Sequence, residues 1–177
     1  MKLYFARHGH TDANPNTIPS EANGEIDEPL NSLGIQQAND LAEQLKDAQL
    51  DAIITSPLKR AYQTAEIVNK YHDLPITVDV GWREREIGAY VDMKTWNDLF
   101  DFDKNIHPKN VEDLREFFKR VYDTVDDMKQ KYDDKTILAV SHNGVRLALH
   151  AYANKLPLSG NIRLSPMKNC EYRIYDI

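Results

Sequence analysis

The sequence predicts an α/β fold, in which helices cover both faces of a central sheet. Two observations predict it: short apolar runs rich in β-branched residues recur along the chain, and amphipathic helical patterns separate them. The runs are Leu3–Ala6, Ala52–Thr55, Ile76–Val80 and Ile137–Val140. Because they are apolar throughout rather than alternating, they suit strands of a parallel sheet that is buried on both faces.

The helices follow from apolar residues spaced three and four apart. The first is predicted over Leu33–Lys46 with Ser32 as its N-cap, and the second opens with a capping serine and a proline at Ser56-Pro57. The longest amphipathic stretch covers Val111–Tyr132, and a further helix is expected after Gly144. The alternating tail Cys170–Ile177 favours an edge strand.

Length and charge limit the classes of function. The 177 residues suit one domain over 1–177, and 22 basic against 28 acidic residues give a net charge of −6. Such an acidic chain is not expected to bind nucleic acid or a membrane surface. One cysteine excludes an intramolecular disulfide, and the sequence shows no signal-peptide or membrane-spanning pattern, so a cytoplasmic protein is expected.

Two segments interrupt the alternation of strands and helices. Residues 15–31 are polar and contain three prolines, and residues 88–110 mix acidic and aromatic residues without a sustained period. Long excursions of this kind often form binding loops or lids, and we expect them to contact the substrate. A locally packed insertion explains the pattern equally well.

Chemically active side chains follow each predicted strand. Arg7-His8 follows the first strand, Arg60 comes shortly after the second, Arg83-Glu84 after the third and His142 after the fourth. Ligands of open parallel sheets bind beyond the carboxyl ends of the strands, where these side chains would converge. The sequence therefore predicts one crevice that holds two histidines, two or more arginines and a carboxylate.

These groups suit transfer of a phosphoryl group. A phosphate monoester carries about two negative charges near neutral pH, and arginine binds its oxygens bidentately. A neutral imidazole is a better nucleophile towards this dianion than a negatively charged group. A second histidine can stabilise the equatorial oxygens, and a carboxylic acid can protonate the leaving oxygen and later activate water.

The motifs that carry these residues resemble those of the histidine phosphatase superfamily, also called the phosphoglycerate mutase-like family. Five motifs occur in the family's order across most of the chain: Arg7-His8-Gly9-His10-Thr11, Leu33-Gly34-Ile35-Gln36-Gln37-Ala38, Ser56 through Ala65, Arg83-Glu84 through Gly88, and Ser141-His142. The resemblance implies a three-layer α/β/α sandwich around a mostly parallel central sheet. It also implies metal-independent hydrolysis of a small phosphorylated metabolite, without a cofactor.

The resemblance further implies a role for each site residue. His8 would be the nucleophile that becomes phosphohistidine, and Glu84 would donate and accept the proton. The phosphate pocket would be formed by Arg7, Arg60 and His142 together with Asn14. Asn143, next to the second histidine, is expected as a further substrate contact. Arg85 is expected at the rim of the site, together with Arg83, His107 and Lys109, as a contact for a second anionic group.

Three alternatives stay open from the sequence. Members of the same family include mutases, which return the phosphoryl group to a second position of the substrate. A metal-dependent hydrolase could use His8-x-His10-x-Asp12, a spacing that can hold metal ions. A non-catalytic module could bind a phosphorylated ligand with the same pocket. The sequence reveals neither the substrate nor the oligomeric state.

Overall fold

Within the residues that it describes, the computed structural model shows a five-stranded sheet with α1 and α2, defined below, on one face and α3 and α4 on the other. The strand order is β3-β2-β4-β1-β5; four strands run parallel and β5 is antiparallel to β1. In chain order, the elements are β1 (Lys2–Arg7), α1 (Ser32–Leu45), β2 (Ala52–Thr55), α2 (Lys59–Asn69), β3 (Ile76–Val78), α3 (Leu114–Lys131), β4 (Thr136–Ser141), α4 (Asn143–Ala153) and β5 (Tyr172–Asp176). The structure describes residues 1–12, 27–87, 98–106, 108–162 and 164–177.

Alternate residues of each central strand enter different cores. Leu3 and Phe5 of β1 pack with α3 and α4, whereas Ala6 packs with α1 and α2. In β4, Ile137 and Ala139 face the core on the side of α3 and α4, whereas Leu138 and Val140 face the core on the side of α1 and α2. This arrangement explains the continuous apolar runs and confirms the predicted three-layer α/β/α fold. The edge strand predicted in the tail is also present, as β5.

Two helix starts differ from the prediction. The N-cap of α1 is Asn31, whose side chain accepts a hydrogen bond from Gly34 N at 2.9 Å, and Ser32 is already helical. Helix α2 begins at Lys59 rather than at Ser56-Pro57. The Ser56 hydroxyl does accept a bond from Leu58 N, at 3.3 Å, but within the turn before the helix.

The later boundaries differ from the prediction by up to three residues. Strand β3 ends at Val78, and a 3₁₀ turn over Val80–Trp82 then leads to the acidic motif. The long amphipathic helix begins at Leu114, three residues later than predicted, because Asp113 caps it by accepting bonds from the N–H groups of residues 115 and 116. The helix expected after Gly144 is α4.

The second predicted substrate segment is partly packed into the core. In residues 98–106, Leu99 and Phe102 are 1% exposed, and the Phe102 ring meets Phe118 of α3 edge-on at 4.9 Å. Much of both predicted loops, namely residues 15–26, 88–97 and 107, lies outside the described residues. None of the helices in the described ranges is long and apolar enough to cross a membrane.

Candidate active site

The parallel pairing of β1, β4 and β2 brings three predicted motifs to one edge of the sheet. Arg7 pairs with Ser141, and Val140 pairs with Thr55, so the residues that follow these strands emerge side by side. His8 and His142 are completely buried there, and their ring centroids lie 5.0 Å apart. The predicted convergence of the two histidines is therefore observed.

Among the described residues, one nitrogen of the His8 ring has a hydrogen-bond partner and the other has none. Its Nδ1 lies 2.8 Å from the carbonyl oxygen of Gly9, which can only accept, so Nδ1 carries the hydrogen. Its Nε2 has no hydrogen-bond partner among the described residues. Burial lowers the pKa of His8 well below its usual 6.5, and the charges of Arg60 and Arg7 lower it further. The geometry and charge leave a neutral imidazole with a lone pair on Nε2.

The His142 ring is oriented by a serine. Its Nε2 lies 2.8 Å from Ser56 Oγ, which also accepts the 3.3 Å bond from Leu58 N. The hydroxyl keeps its hydrogen and a second lone pair, so it can donate to Nε2 or accept from it; when it donates, the ring hydrogen lies on Nδ1. Nδ1 has no partner among the described residues, and burial together with Arg60 and His8 lowers the pKa of His142 well below 6.5.

Two arginines supply positive charge to this buried pair of rings. Arg60, in the first turn of α2, is only 1% exposed, and its charge affects the pKa values of His8, His142 and Glu84. Arg7 acts on the same three groups, and its Nη1 donates to the Met167 carbonyl at 2.6 Å. The site thus combines cationic side chains with neutral imidazoles, which suits a dianionic ligand.

Glu84 lies against the N-terminus of α4. Its Oε2 accepts from Gly144 N at 3.0 Å, and its Oε1 accepts from Arg85 N at 2.9 Å. The carboxyl is 2% exposed, and burial raises its pKa above the usual 4.5, although the two N–H donors and the charges of Arg60 and Arg7 oppose the rise. A buried carboxyl with a raised pKa can hold and release a proton.

Gln37 and Thr64, which lie in the two helical motifs, support the loop that carries His8. His10 N donates to Gln37 Oε1 at 2.9 Å, and Gly9 N donates to Thr64 Oγ1 at 3.0 Å. Helix α1 approaches so closely that a Cβ at Gly34 would lie 2.1 Å from the His10 carbonyl oxygen. These contacts give the motifs a physical function, which is to fix the backbone around the buried imidazole.

The substrate contact predicted for Arg85 does not fit its surroundings. Its side chain is 1% exposed, and it donates to the Glu112 carbonyl at 2.9 and 2.7 Å and to the Leu99 carbonyl at 2.5 Å. Burial lowers its pKa to about 10. The residue therefore ties together two backbone segments rather than facing the rim of the site. Arg83, also expected at the rim, forms an ion pair with Glu86.

The other predicted contacts have different outcomes. Asn143 Oδ1 accepts from Met167 N at 3.1 Å, so this side chain holds the segment that also binds Arg7. Asn14 and His107 lie outside the described residues. Sequence reasoning assigned Ser56 to a helix cap and missed its contact with His142, although both residues follow neighbouring strands.

The metal-binding hypothesis requires His8, His10 and Asp12 to face one ion, but His8 is bonded elsewhere while His10 and Asp12 share one donor. Asn31 Nδ2 donates to His10 Nδ1 at 2.9 Å and to Asp12 Oδ1 at 2.8 Å, whereas Nδ1 of His8 faces Gly9. Within the described ranges, no group of three or more His, Cys, Asp or Glu residues is arranged to hold a metal ion.

Comparison with known proteins identifies the family. The sequence profile of the histidine phosphatase superfamily (branch 1) matches residues 3–177. This chain belongs to the histidine phosphatase superfamily. The family expected from the motifs is therefore confirmed.

Individual proteins also match this chain over most of their length. The Bacillus subtilis protein named Uncharacterized phosphatase PhoE is 37% identical over 152 residues, which cover 86% of this chain and 75% of that protein. Bacillus stearothermophilus YhfR is 27% identical with a TM-score of 0.85, and covers 99% of this chain and 91% of its own. Mycobacterial glucosyl-3-phosphoglycerate phosphatase Rv2419c, complexed with VO3, has 27% identity and a TM-score of 0.83, with coverages of 98% and 91%.

Proposed function

We propose that the protein is a phosphomonoester hydrolase that works through a phosphohistidine on Nε2 of His8. The observation that carries the proposal is the state of the His8 ring: Nδ1–H is bonded to the Gly9 carbonyl, and the buried Nε2 is without a partner among the described residues. A neutral imidazole with a directed lone pair suits attack on a phosphate dianion. Membership of a family whose named members include phosphatases supports the same reaction.

The first half-reaction forms the phosphoenzyme. The Nε2 lone pair of His8 forms a bond to phosphorus while the bond from phosphorus to the ester oxygen breaks. The proton of Glu84 passes to that oxygen, so the leaving group departs as a neutral alcohol. Arg7, Arg60 and the Nδ1–H of His142 bind the non-bridging oxygens and stabilise the charge that they carry in the transition state.

The second half-reaction releases inorganic phosphate. The Glu84 carboxylate takes a proton from water, the water oxygen bonds to phosphorus, and the bond from phosphorus to Nε2 breaks. His8 regains its lone pair and Glu84 its proton, so the enzyme returns to its starting state. Acid–base assistance by a positioned carboxyl typically contributes ~100- to 10,000-fold in rate.

The substrate class is a small phosphorylated metabolite. Two arginines and two buried histidines match one phosphoryl group, and the mycobacterial relative is named for a phosphorylated sugar acid. Residues 15–31 and 88–110 remain our candidates for the segments that recognise the rest of the substrate. A single domain over 1–177, a cytoplasmic location, independence of metal ions and the lack of a nucleic-acid partner also remain proposals.

The test is hydrolysis of p-nitrophenyl phosphate in excess EDTA by the wild type, His8→Ala and His150→Ala. His150 lies near the end of α4 and provides the matched control. We expect metal-free turnover in the wild type and the control, and loss of turnover in His8→Ala. Rapid quenching with ³²P-labelled substrate should trap label on the wild type that survives base and is lost in acid, as expected for phosphohistidine.

Different results overturn the proposal in different ways. Turnover that survives in His8→Ala means that another residue is the nucleophile. Activity that EDTA abolishes and Zn²⁺ or Mn²⁺ restores favours the metal-dependent alternative. Interconversion of phosphoglycerates that outpaces release of inorganic phosphate identifies a mutase, and tight binding of phosphate without turnover of any ester identifies a binding module.

A further inference from the structure

Glu84 lies on an irregular segment that needs external support. The segment consists of the 3₁₀ turn over Val80–Trp82 and the residues up to Ile87, and it forms no regular helix or ladder around the carboxyl. Arg120 of α3 reaches across to it: its Nη1 donates to the carbonyl oxygens of Gly81 at 2.9 Å and Arg83 at 3.1 Å. These contacts fix the backbone directly before the proposed proton donor.

Glu112 supports the same segment from the other side of Glu84. Its backbone N donates to the Glu86 carbonyl at 2.7 Å, and its own carbonyl accepts both bonds from Arg85. Its carboxylate accepts from Arg120 Nε at 3.0 Å and from Nη2 at 2.9 Å. Arg120 and Glu112 therefore form a bidentate pair that connects the residues before Glu84 to those after it.

Helix α3 gives the pair a rigid base. The Arg120 guanidinium carbon lies 5.1 Å from the ring centroid of Phe117, which is fully buried in the core. The Arg120 carbonyl accepts a 2.8 Å bond from Thr124 Oγ1. The core ring of Phe117 therefore holds the guanidinium in place, and the guanidinium in turn holds the segment that carries Glu84.

We propose that Arg120 and Glu112 are positioning residues for Glu84, a proposal that rests on the proton-transfer role given to Glu84 above. The pair holds the carboxyl where it meets the leaving oxygen, and neither residue touches the reacting atoms. The two side chains are only 27% and 21% exposed, so loss of either partner also costs stability. The readout must therefore separate proton transfer from folding.

The choice of substrate separates proton transfer from the rest of the reaction. An alkyl phosphate releases a strongly basic alkoxide and needs the proton of Glu84, whereas p-nitrophenyl phosphate releases a weakly basic phenolate that leaves without it. The kcat/KM value reports steps up to formation of phosphohistidine, so later hydrolysis does not obscure the comparison. The readout is the ratio of kcat/KM for β-glycerophosphate to kcat/KM for p-nitrophenyl phosphate.

The variants are Arg120→Lys, Arg120→Met and Glu112→Gln, with Lys119→Gln as the matched control. Lys119 lies next to Arg120 on α3 and pairs with Asp123 in solvent. We expect the ratio to fall roughly tenfold to a hundredfold in Arg120→Met and Glu112→Gln, since small displacements of a catalytic group cost about this much. Arg120→Lys keeps the charge but loses the bidentate geometry. Its ratio should therefore lie between those of these two variants and that of the control.

Combination with Glu84→Gln decides whether the effect acts through Glu84. In that background, Glu112→Gln should lower the ratio no further, because the group that it positions is already inactive. A ratio that stays at the wild-type value in Arg120→Met and Glu112→Gln, or a full additional loss in the double variant, overturns the inference. If Glu84→Gln itself leaves the ratio unchanged, the proton-donor role of Glu84 fails instead.

Discussion

A Cβ atom added at Gly144 would lie 2.3 Å from Oε1 of Glu84. The absence of a side chain at the start of α4 is therefore what allows the carboxyl to approach the helix and to accept from Gly144 N at 3.0 Å. The second-histidine motif and the acidic motif are separated by about sixty residues in sequence, and they meet through this contact.

Gly144→Ala should displace the Glu84 carboxyl while it leaves the fold intact. Gly144 is the second residue of α4, where alanine is compatible with the helix, so the melting temperature should not fall greatly. We expect kcat/KM for an alkyl phosphate to fall roughly a hundredfold, because the proton donor is moved by about an ångström. A Glu84→Gln/Gly144→Ala double variant is the control, and a further large loss there would show that the alanine acts elsewhere.

The opposite pKa shifts of His8 and Glu84 predict an unusual pH profile. The proposed mechanism needs neutral His8 and protonated Glu84. The pKa of His8 lies below its usual 6.5, and that of Glu84 lies above its usual 4.5. For an alkyl phosphate, the acid limb of kcat/KM that belongs to His8 should therefore lie below pH 6.5, and the alkaline limb that belongs to Glu84 above pH 4.5.

With p-nitrophenyl phosphate, the alkaline limb that belongs to Glu84 should be absent from kcat/KM, since this leaving group needs no proton. Profiles for both substrates on the same wild-type protein test this difference. An identical alkaline limb for the two substrates would contradict the assignment of that limb to Glu84.

Ser56→Ala should weaken phosphate binding through His142. Loss of the 2.8 Å contact removes the hydroxyl that, in the proposed mechanism, donates to Nε2 and keeps the ring hydrogen on Nδ1; a single hydrogen bond of this kind is worth ~1 kcal/mol. We expect kcat/KM for p-nitrophenyl phosphate and the affinity for inorganic phosphate to fall by roughly tenfold or less. Ser32→Ala, a serine at the start of α1, is the control; equal effects of the two substitutions would argue against the proposed tautomer.

The capping of α1 gives a prediction about stability. Asn31→Ala should lower the free energy of unfolding by ~1 kcal/mol, because its side chain accepts from Gly34 N. It also donates to His10 and Asp12, so the loss should exceed that of an isolated cap. Urea unfolding of Asn31→Ala and Ser32→Ala measures the difference. A larger loss of unfolding free energy in Ser32→Ala would support Ser32 as the N-cap, as the sequence predicted.

The sequence predicts the sheet and the meeting of the principal site residues for one reason. Strands such as Leu3–Ala6 are apolar on both faces, and parallel pairing then carries the residues that follow them to the same edge. The meeting of His8 and His142 could therefore be predicted without further information. Helix starts were less predictable, since Asn31 and Ser32 are both good caps and contacts with the His8 loop select between them.

Arg85 shows what the sequence cannot reveal. An arginine beside an acidic site residue suggests a substrate contact, yet its partners are backbone carbonyls of residues 99 and 112. Every residue has a backbone carbonyl, so the sequence does not show which of them accept hydrogen bonds. Neither these bonds nor those from Arg120 to Gly81 and Arg83 could therefore be predicted.

Strand β4 lies between β1 and β2, although it comes from the last third of the chain. During synthesis, the first two strands therefore have no shared neighbour until residues 136–141 leave the ribosome. A chain that ends before this strand also lacks His142 and Gly144, so neither the pair of histidines nor the contact that holds Glu84 can be completed. Catalytic competence should arise in a single late step, which makes turnover a sensitive reporter of complete folding.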